Sequence, residues 1–164
     1  MLELLALQFP NVDAAIAESA RLAAVQTLPQ GVVHVISDIH GEDKKLQHVI
    51  NNASGTLRPL VEEMFAETMT EREMEEFLKL TFYPAEVTKR VGEALLQPDE
   101  IRAYALRMLE PQLELLRYLV SNFSLRLATE VFPAEYRELL LEIMHAPSTE
   151  RGPEFVGAML DELV

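Results

Sequence analysis

Cysteine is absent from this chain of 164 residues, which removes disulfides, thiol nucleophiles and cysteine-ligated zinc from consideration and fits a reducing compartment. Basic residues are scarce as well: 14 Lys and Arg stand against 27 Asp and Glu, a formal net charge of -13. Nucleic acid and anionic membrane surfaces both require a basic face, so neither is an expected partner. No uncharged run approaches the length needed to span a bilayer. The apolar start, Met1-Leu-Glu-Leu-Leu-Ala-Leu, lacks a basic lead and is interrupted by Glu3 and Pro10, so it does not read as a signal peptide. Low-complexity tracts are missing too. The composition, 49% hydrophobic and 25% charged, is globular, the length suffices for one domain with a real core, and the simplest location is cytoplasmic.

The stretch Val32-Val-His-Val-Ile-Ser-Asp-Ile-His-Gly41 carries the chemistry. Val32 to Ile36 is β-branched and uncharged, as suits a strand buried on both faces of a mostly parallel sheet. Asp38 and His40 follow at its carboxyl end, where open α/β sheets build their sites. In an extended chain side chains 38 and 40 point the same way, so a carboxylate and an imidazole can reach one metal ion together. Gly41 allows a sharp turn and leaves room for a bulky anion, and Glu42 or Asp43 can cap a helix whose N-terminal amides point to the same place. Asp-x-His-Gly arises by accident in roughly one chain in a hundred of this size. The competing reading is a helix-capping turn with His40 merely exposed.

Around this stretch the pattern is helical. Asn11 or Asp13 can cap a lead-in helix that carries Val12, Ile16, Ala20, Ala23 and Ala24 and packs beside the sheet, with Pro29-Gln30-Gly31 ending it. A helix over 43–53 turns Leu46, Val49, Ile50 and Ala53 inward, leaving Lys44, Lys45, Gln47 and Asn51 toward solvent or a site. His34 reads as strand packing and His48 as a packed or surface histidine, while His145 suits a helix C-terminus. Another helix starts at Arg58-Pro59. Arg58 is either a solvated arginine or, with its planar fork just after a glycine turn, a phosphate contact. Thr70 to Leu80 reads as a capped helix with Met74, Phe77, Leu78 and Phe82 inward and a wet face of Glu71, Glu73, Glu75 and Glu76. Further helices are expected over 84–96, 98–126 with Pro111 kinking or dividing it near Glu110, and 133–145. A turn-rich connection over 147–153 then leads to a last helix over 154–164. The fold class is thus predominantly α with one motif-bearing strand. Because a lone strand cannot satisfy its own hydrogen bonds, its sheet partners are expected outside this chain.

His34-Val-Ile-Ser-Asp-Ile-His-Gly-Glu, followed by Gln47-His-Val-Ile-Asn-Asn-Ala-Ser-Gly-Thr-Leu-Arg58, resembles the amino-terminal part of the class III, Firmicutes-type fructose-1,6-bisphosphatases of bacteria. These are calcineurin-like metallophosphoesterases, whose first signature block is Asp-x-His. The likeness extends to Phe82-Tyr83-Pro84 and Phe132-Pro133-Ala134-Glu135-Tyr136. It implies an α/β metallophosphoesterase sandwich of which residues 1–58 form the first metal-binding block and 59–164 a helical insertion. It also implies metal ligation by Asp38 and His40, with Gly41 as the motif's backbone element and Arg58 as a candidate substrate contact. The cofactor so implied is manganese, as two ions with about seven ligands. The reaction implied is release of the 1-phosphate from fructose 1,6-bisphosphate in gluconeogenesis, and a homo-oligomer is a possible assembly. Neither a Gly-Asp-x-x-Asp-Arg block nor an Asn-His pair occurs here, so the chain is expected to be an incomplete portion, inactive alone. An acidic chain acting on a bisphosphate needs metals or local arginine to offset its field. Two other readings stay open: a metallophosphoesterase of another substrate, and a non-enzymatic acidic helical module.

Overall fold

A computed structural model of the protein describes residues 2–29, 33–95, 97–145 and 153–163. Among the described residues all regular structure is helical. The helices run α1 (Leu2–Gln8), α2 (Val12–Val25), α3 (Asp43–Asn51), α4 (Leu57–Phe65), α5 (Glu71–Phe82), α6 (Pro84–Ala94), α7 (Pro98–Ser121), α8 (Leu125–Val131), α9 (Arg137–His145) and α10 (Pro153–Leu163), with single 3-10 turns at Ala53–Gly55 and Ala134–Tyr136.

The predominantly α expectation holds, and local chemistry sets the boundaries. The Asn11 side chain accepts from the Ala14 amide at 2.8 Å and starts α2. Thr70 starts α5 with a full capping box, its hydroxyl accepting from the Glu73 amide while the Glu73 carboxylate accepts from the Thr70 amide at 2.9 Å. These pairings satisfy amides that have no partner within the helix. Pro84 and Pro98 open α6 and α7 at positions where a missing N–H costs nothing.

The core lies between α4, α5, α6 and α7. Val61 and Phe77 are fully buried and Leu78 is 1% exposed, and the Phe65 and Phe77 rings meet edge to face at 5.6 Å. Met74, Phe82, Val87, Met108 and Leu115 complete it. Burial of each large side chain stabilises by about 1.5–3 kcal/mol, which holds the four helices in one unit. The inward positions expected for α5 are all buried.

Several expectations need correction. The strand expected over 32–36 does not form among the described residues. Residues 33–39 have no ladder partner and are all exposed, Val33 at 85% and Val35 at 88%. Strand hydrogen bonds are made between strands, and no second extended partner is present among the described residues to receive them. Val32 lies outside the described residues. Without a sheet, α2 has nothing to pack beside and buries no residue, and His34 is exposed rather than packed. The start of the chain forms a helix of its own, α1, which its broken apolar pattern does not announce. Pro111 neither ends nor divides α7, which continues through it. It removes one helical N–H, and the packing of Met108, Leu113 and Leu115 on both sides of it outweighs that loss. The actual break comes at Asn122, earlier than expected, where Ser124 caps α8. The acidic run on α5 is more than a wet face, since three of its four members have partners described below. The 147–152 part of the expected turn-rich connection lies outside the described residues.

Candidate metal centre

The centre is built on a reversal between the extended segment and α3. His40 and Gly41 both have positive φ, 46° and 76°, and the Glu42 amide donates to the Ile39 carbonyl at 2.7 Å. Two positive φ values inside a closed four-residue turn are the signature of type I′. Glycine takes this conformation freely, and histidine is among the residues that tolerate it best. Gly41 thus performs the sharp turn expected of it.

The turn brings Asp38 and His40 together. One Asp38 oxygen, Oδ1, accepts from the His40 amide at 3.1 Å. The other, Oδ2, lies 3.0 Å from His40 Nε2. Asp38 therefore fixes the backbone with one oxygen and keeps the second beside the imidazole. Both side chains are open to solvent, 63% and 83% exposed. A separation of 3.0 Å is that of a hydrogen-bonded pair, and it leaves the carboxylate and the imidazole side by side at the surface. Carboxylate oxygen and imidazole nitrogen are suitable donors for manganese, iron or zinc. No cluster of three or more His, Asp, Glu or Cys exists among the described residues, so the chain contributes a pair of donors rather than a closed shell.

Helix α3 begins directly behind the turn. Glu42 occupies its N-cap position without a side-chain capping bond; its carboxylate instead pairs with Lys45 at 3.2 Å. The first amides of α3 are therefore left for water or an anion, at the positive end of the helix dipole.

What anchors α3 is its far end. Asn51 donates to the Phe82 carbonyl at 2.7 Å, satisfying an acceptor at the end of α5. The His48 ring lies parallel to the Tyr83 ring at 6.0 Å, and its Nδ1 meets the Tyr83 hydroxyl. Asn52 Oδ1 accepts from the Gly55 amide at 2.9 Å, which turns Asn52 Nδ2 toward His48 Nε2 at 3.1 Å. Nε2 is then the acceptor and Nδ1 carries the proton, a tautomer assigned by the network. His48 is thus an exposed histidine whose two nitrogens are engaged by Tyr83 and Asn52. Asn51 is expected only toward solvent or a site, and periodicity gives Asn52 and Tyr83 no role; the signal for the junction is that two of the stretches carrying the family likeness, 47–58 and 82–84, are ones that meet.

Arg58 lies in the first turn of α4 and is held by acids: its Nη1 is 2.8 Å from Glu75 and 3.3 Å from Glu62. The hydrogen bond that Arg58 donates to Glu75 raises the pKa of the guanidinium and lowers that of the carboxyl. Among the described residues it forms no ion pair with Asp38, so the structure brings together Asp38, His40 and Gly41 and leaves Arg58 in an acidic pairing of its own. No helix among the described residues is long and apolar enough to cross a membrane.

Comparison with known proteins reaches the same region of sequence space. The chain is 31% identical over 163 residues to the class 3 fructose-1,6-bisphosphatase of Parabacteroides distasonis, covering 99% of this chain and 24% of that protein. It is 32% identical over 149 residues to that of Bacteroides fragilis, covering 91% and 22%, and 28% identical over 144 residues to that of Staphylococcus haemolyticus, covering 88% and 22%. The chain thus spans about a quarter of the length of these relatives. No solved structure matches it. The family profile described as Firmicute fructose-1,6-bisphosphatase matches residues 1–164, and with that match over its whole length the chain belongs to the Firmicute fructose-1,6-bisphosphatase family.

Proposed function

We propose that this chain supplies the first metal-binding block of a fructose-1,6-bisphosphatase, and that the whole protein hydrolyses the 1-phosphate of fructose 1,6-bisphosphate to inorganic phosphate and fructose 6-phosphate. The observation that carries the reading is the Asp38–His40 pair, side by side on a tight turn, in a chain matched end to end by the family. Asp38 and His40 would hold one divalent ion, manganese in this reading, with further ligands from outside the described residues. Such ions, when bound, supply Lewis acidity and a hydroxide at neutral pH, worth several kcal/mol to the transition state.

The chain's own residues contribute positioning. Asp38 Oδ1 holds the His40 backbone, Gly41 reverses the chain, and the first turn of α3, which follows directly, has no side-chain cap on its amides. Arg58 becomes a substrate contact only by giving up Glu75. The extended segment 33–39 enters the metallophosphoesterase sandwich as a strand once a neighbouring strand pairs with it. The same reading places the protein in the cytoplasm, in gluconeogenesis, and allows a homo-oligomer.

Phosphate release from fructose 1,6-bisphosphate, measured on the whole protein with manganese in excess, tests this. Asp38→Asn keeps the turn's shape and removes the ligand charge, so activity should fall on the order of a hundredfold or more. His48→Asn should cost far less, because His48 faces Tyr83. Equal activity of Asp38→Asn and the parent would reject the metal assignment. The 164-residue chain alone should show no turnover.

A further inference from the structure

A cavity of about 500 Å³ opens between α5, α6 and α7. On a chain whose acids outnumber its bases almost two to one, its wall reverses the balance, with Arg72, Lys79, Arg90 and Arg107 against Glu75 and Glu76. Both acids are already engaged. Glu75 pairs with Arg58 at 2.8 Å, and Glu76 receives both arms of the Arg107 guanidinium at 3.1 and 3.2 Å. Arg72 and Arg90, both exposed, enter no ion pair or hydrogen bond among the described residues.

Tyr104 lines the cavity with its ring, while its hydroxyl, without a hydrogen-bond partner, is closed to solvent. The Arg107 guanidinium lies 5.4 Å over the same ring, fixing it in place. Val87, Val91 and Leu95 make the apolar part of the wall.

We propose that this cavity binds a small amphipathic oxyanion, its head held by Arg72 and Arg90 and its apolar body against the Tyr104 ring, Val87, Val91 and Leu95. A carboxylate and a phosphate ester share this chemistry. The site stands apart from the Asp38–His40 turn and does not depend on the function assigned to it.

Titration of the isotope-labelled 164-residue chain with phenyl phosphate, benzoate and inorganic phosphate, followed by amide and arginine side-chain NMR signals, is the test. At least one aromatic probe should saturate below about 10 mM with shifts concentrated at Arg72, Arg90 and the Tyr104 region, and the arm that saturates identifies the head group. Inorganic phosphate, lacking the apolar body, should bind about tenfold more weakly. Arg72→Gln combined with Arg90→Gln should weaken the better probe about tenfold or more. Failure of both aromatic probes to saturate would overturn the proposal. So would unchanged affinity in the double variant, or shifts spread equally to Arg126 and Arg137.

Discussion

Asn51 and Phe82 are separated by 31 positions in the chain, and one hydrogen bond of 2.7 Å between them sets where α3 lies. Helical periodicity turns Val49, Ile50 and Ala53 inward and leaves Asn51 toward solvent or a site, whereas Asn51 is half-buried against α5 and Val49 and Ile50 are exposed; the partner of Asn51 is a carbonyl at the end of another helix, which no local pattern encodes. Asn51→Ala leaves that partly buried carbonyl without its donor and should cost about 1–3 kcal/mol in urea unfolding. Tyr83→Phe, at an exposed contact, should cost less. If both variants unfold like the parent, α3 is held by something other than this junction. Asp38, His40 and Gly41 were legible from the sequence because residue type and spacing of one or two positions determine what they can do. Arg58 was legible only as a choice, because Glu75, which engages it, is brought close by the packing of α4 on α5.

Helix α5 shows how an element's own chemistry and its surroundings combine. Its core face of Met74, Phe77, Leu78 and Phe82 was readable from a 3.6-residue repeat, because burial follows apolar spacing directly. Its acidic face was misread as solvated, since ion pairing depends on which neighbour presents an arginine. Glu73 is held below the ordinary glutamate value of 4.5 by its bonds to the Thr70 amide and hydroxyl, and Glu75 by the Arg58 guanidinium. The folded state therefore binds protons less readily than the unfolded chain. Their contribution to stability is complete above the unfolded value and is lost as pH falls through the lowered folded values. The urea midpoint should hold steady from neutral pH down to the carboxylate range and decline below about pH 4.5, less steeply in Glu75→Gln. Thr70→Ala, which breaks the capping box from the other side, should cost about 1 kcal/mol at neutral pH.

At the scale of the whole molecule, burial is divided sharply along the chain. The buried apolar residues run from Val61 to Ile143, and none precedes Val61 among the described residues. Ahead of them, Val12, Ile16 and Leu22 of α2 and Val33, Val35, Ile36 and Ile39 of the extended segment are all exposed. The sequence pattern for residues 32–36 is that of a strand in a sheet, and no strand forms there among the described residues. What the pattern cannot supply is the neighbouring strand, so an intrinsic β preference stays unexpressed and an apolar edge remains open. Such an edge pairs with any available copy of itself. The 164-residue chain should therefore associate with concentration, as seen by light scattering, and the associated form should gain a strand signal in circular dichroism. Removal of residues 1–42 takes away that segment, α1 and α2, and none of the buried residues among those described. The shortened chain should stay monomeric, remain helical, and keep a urea midpoint equivalent to within about 0.5 kcal/mol of the longer one, as expected where no core contact is lost. A 164-residue chain that stays monomeric at every concentration, or a shortened chain that fails to fold, would mean that the first 42 residues pack on the helical core in solution.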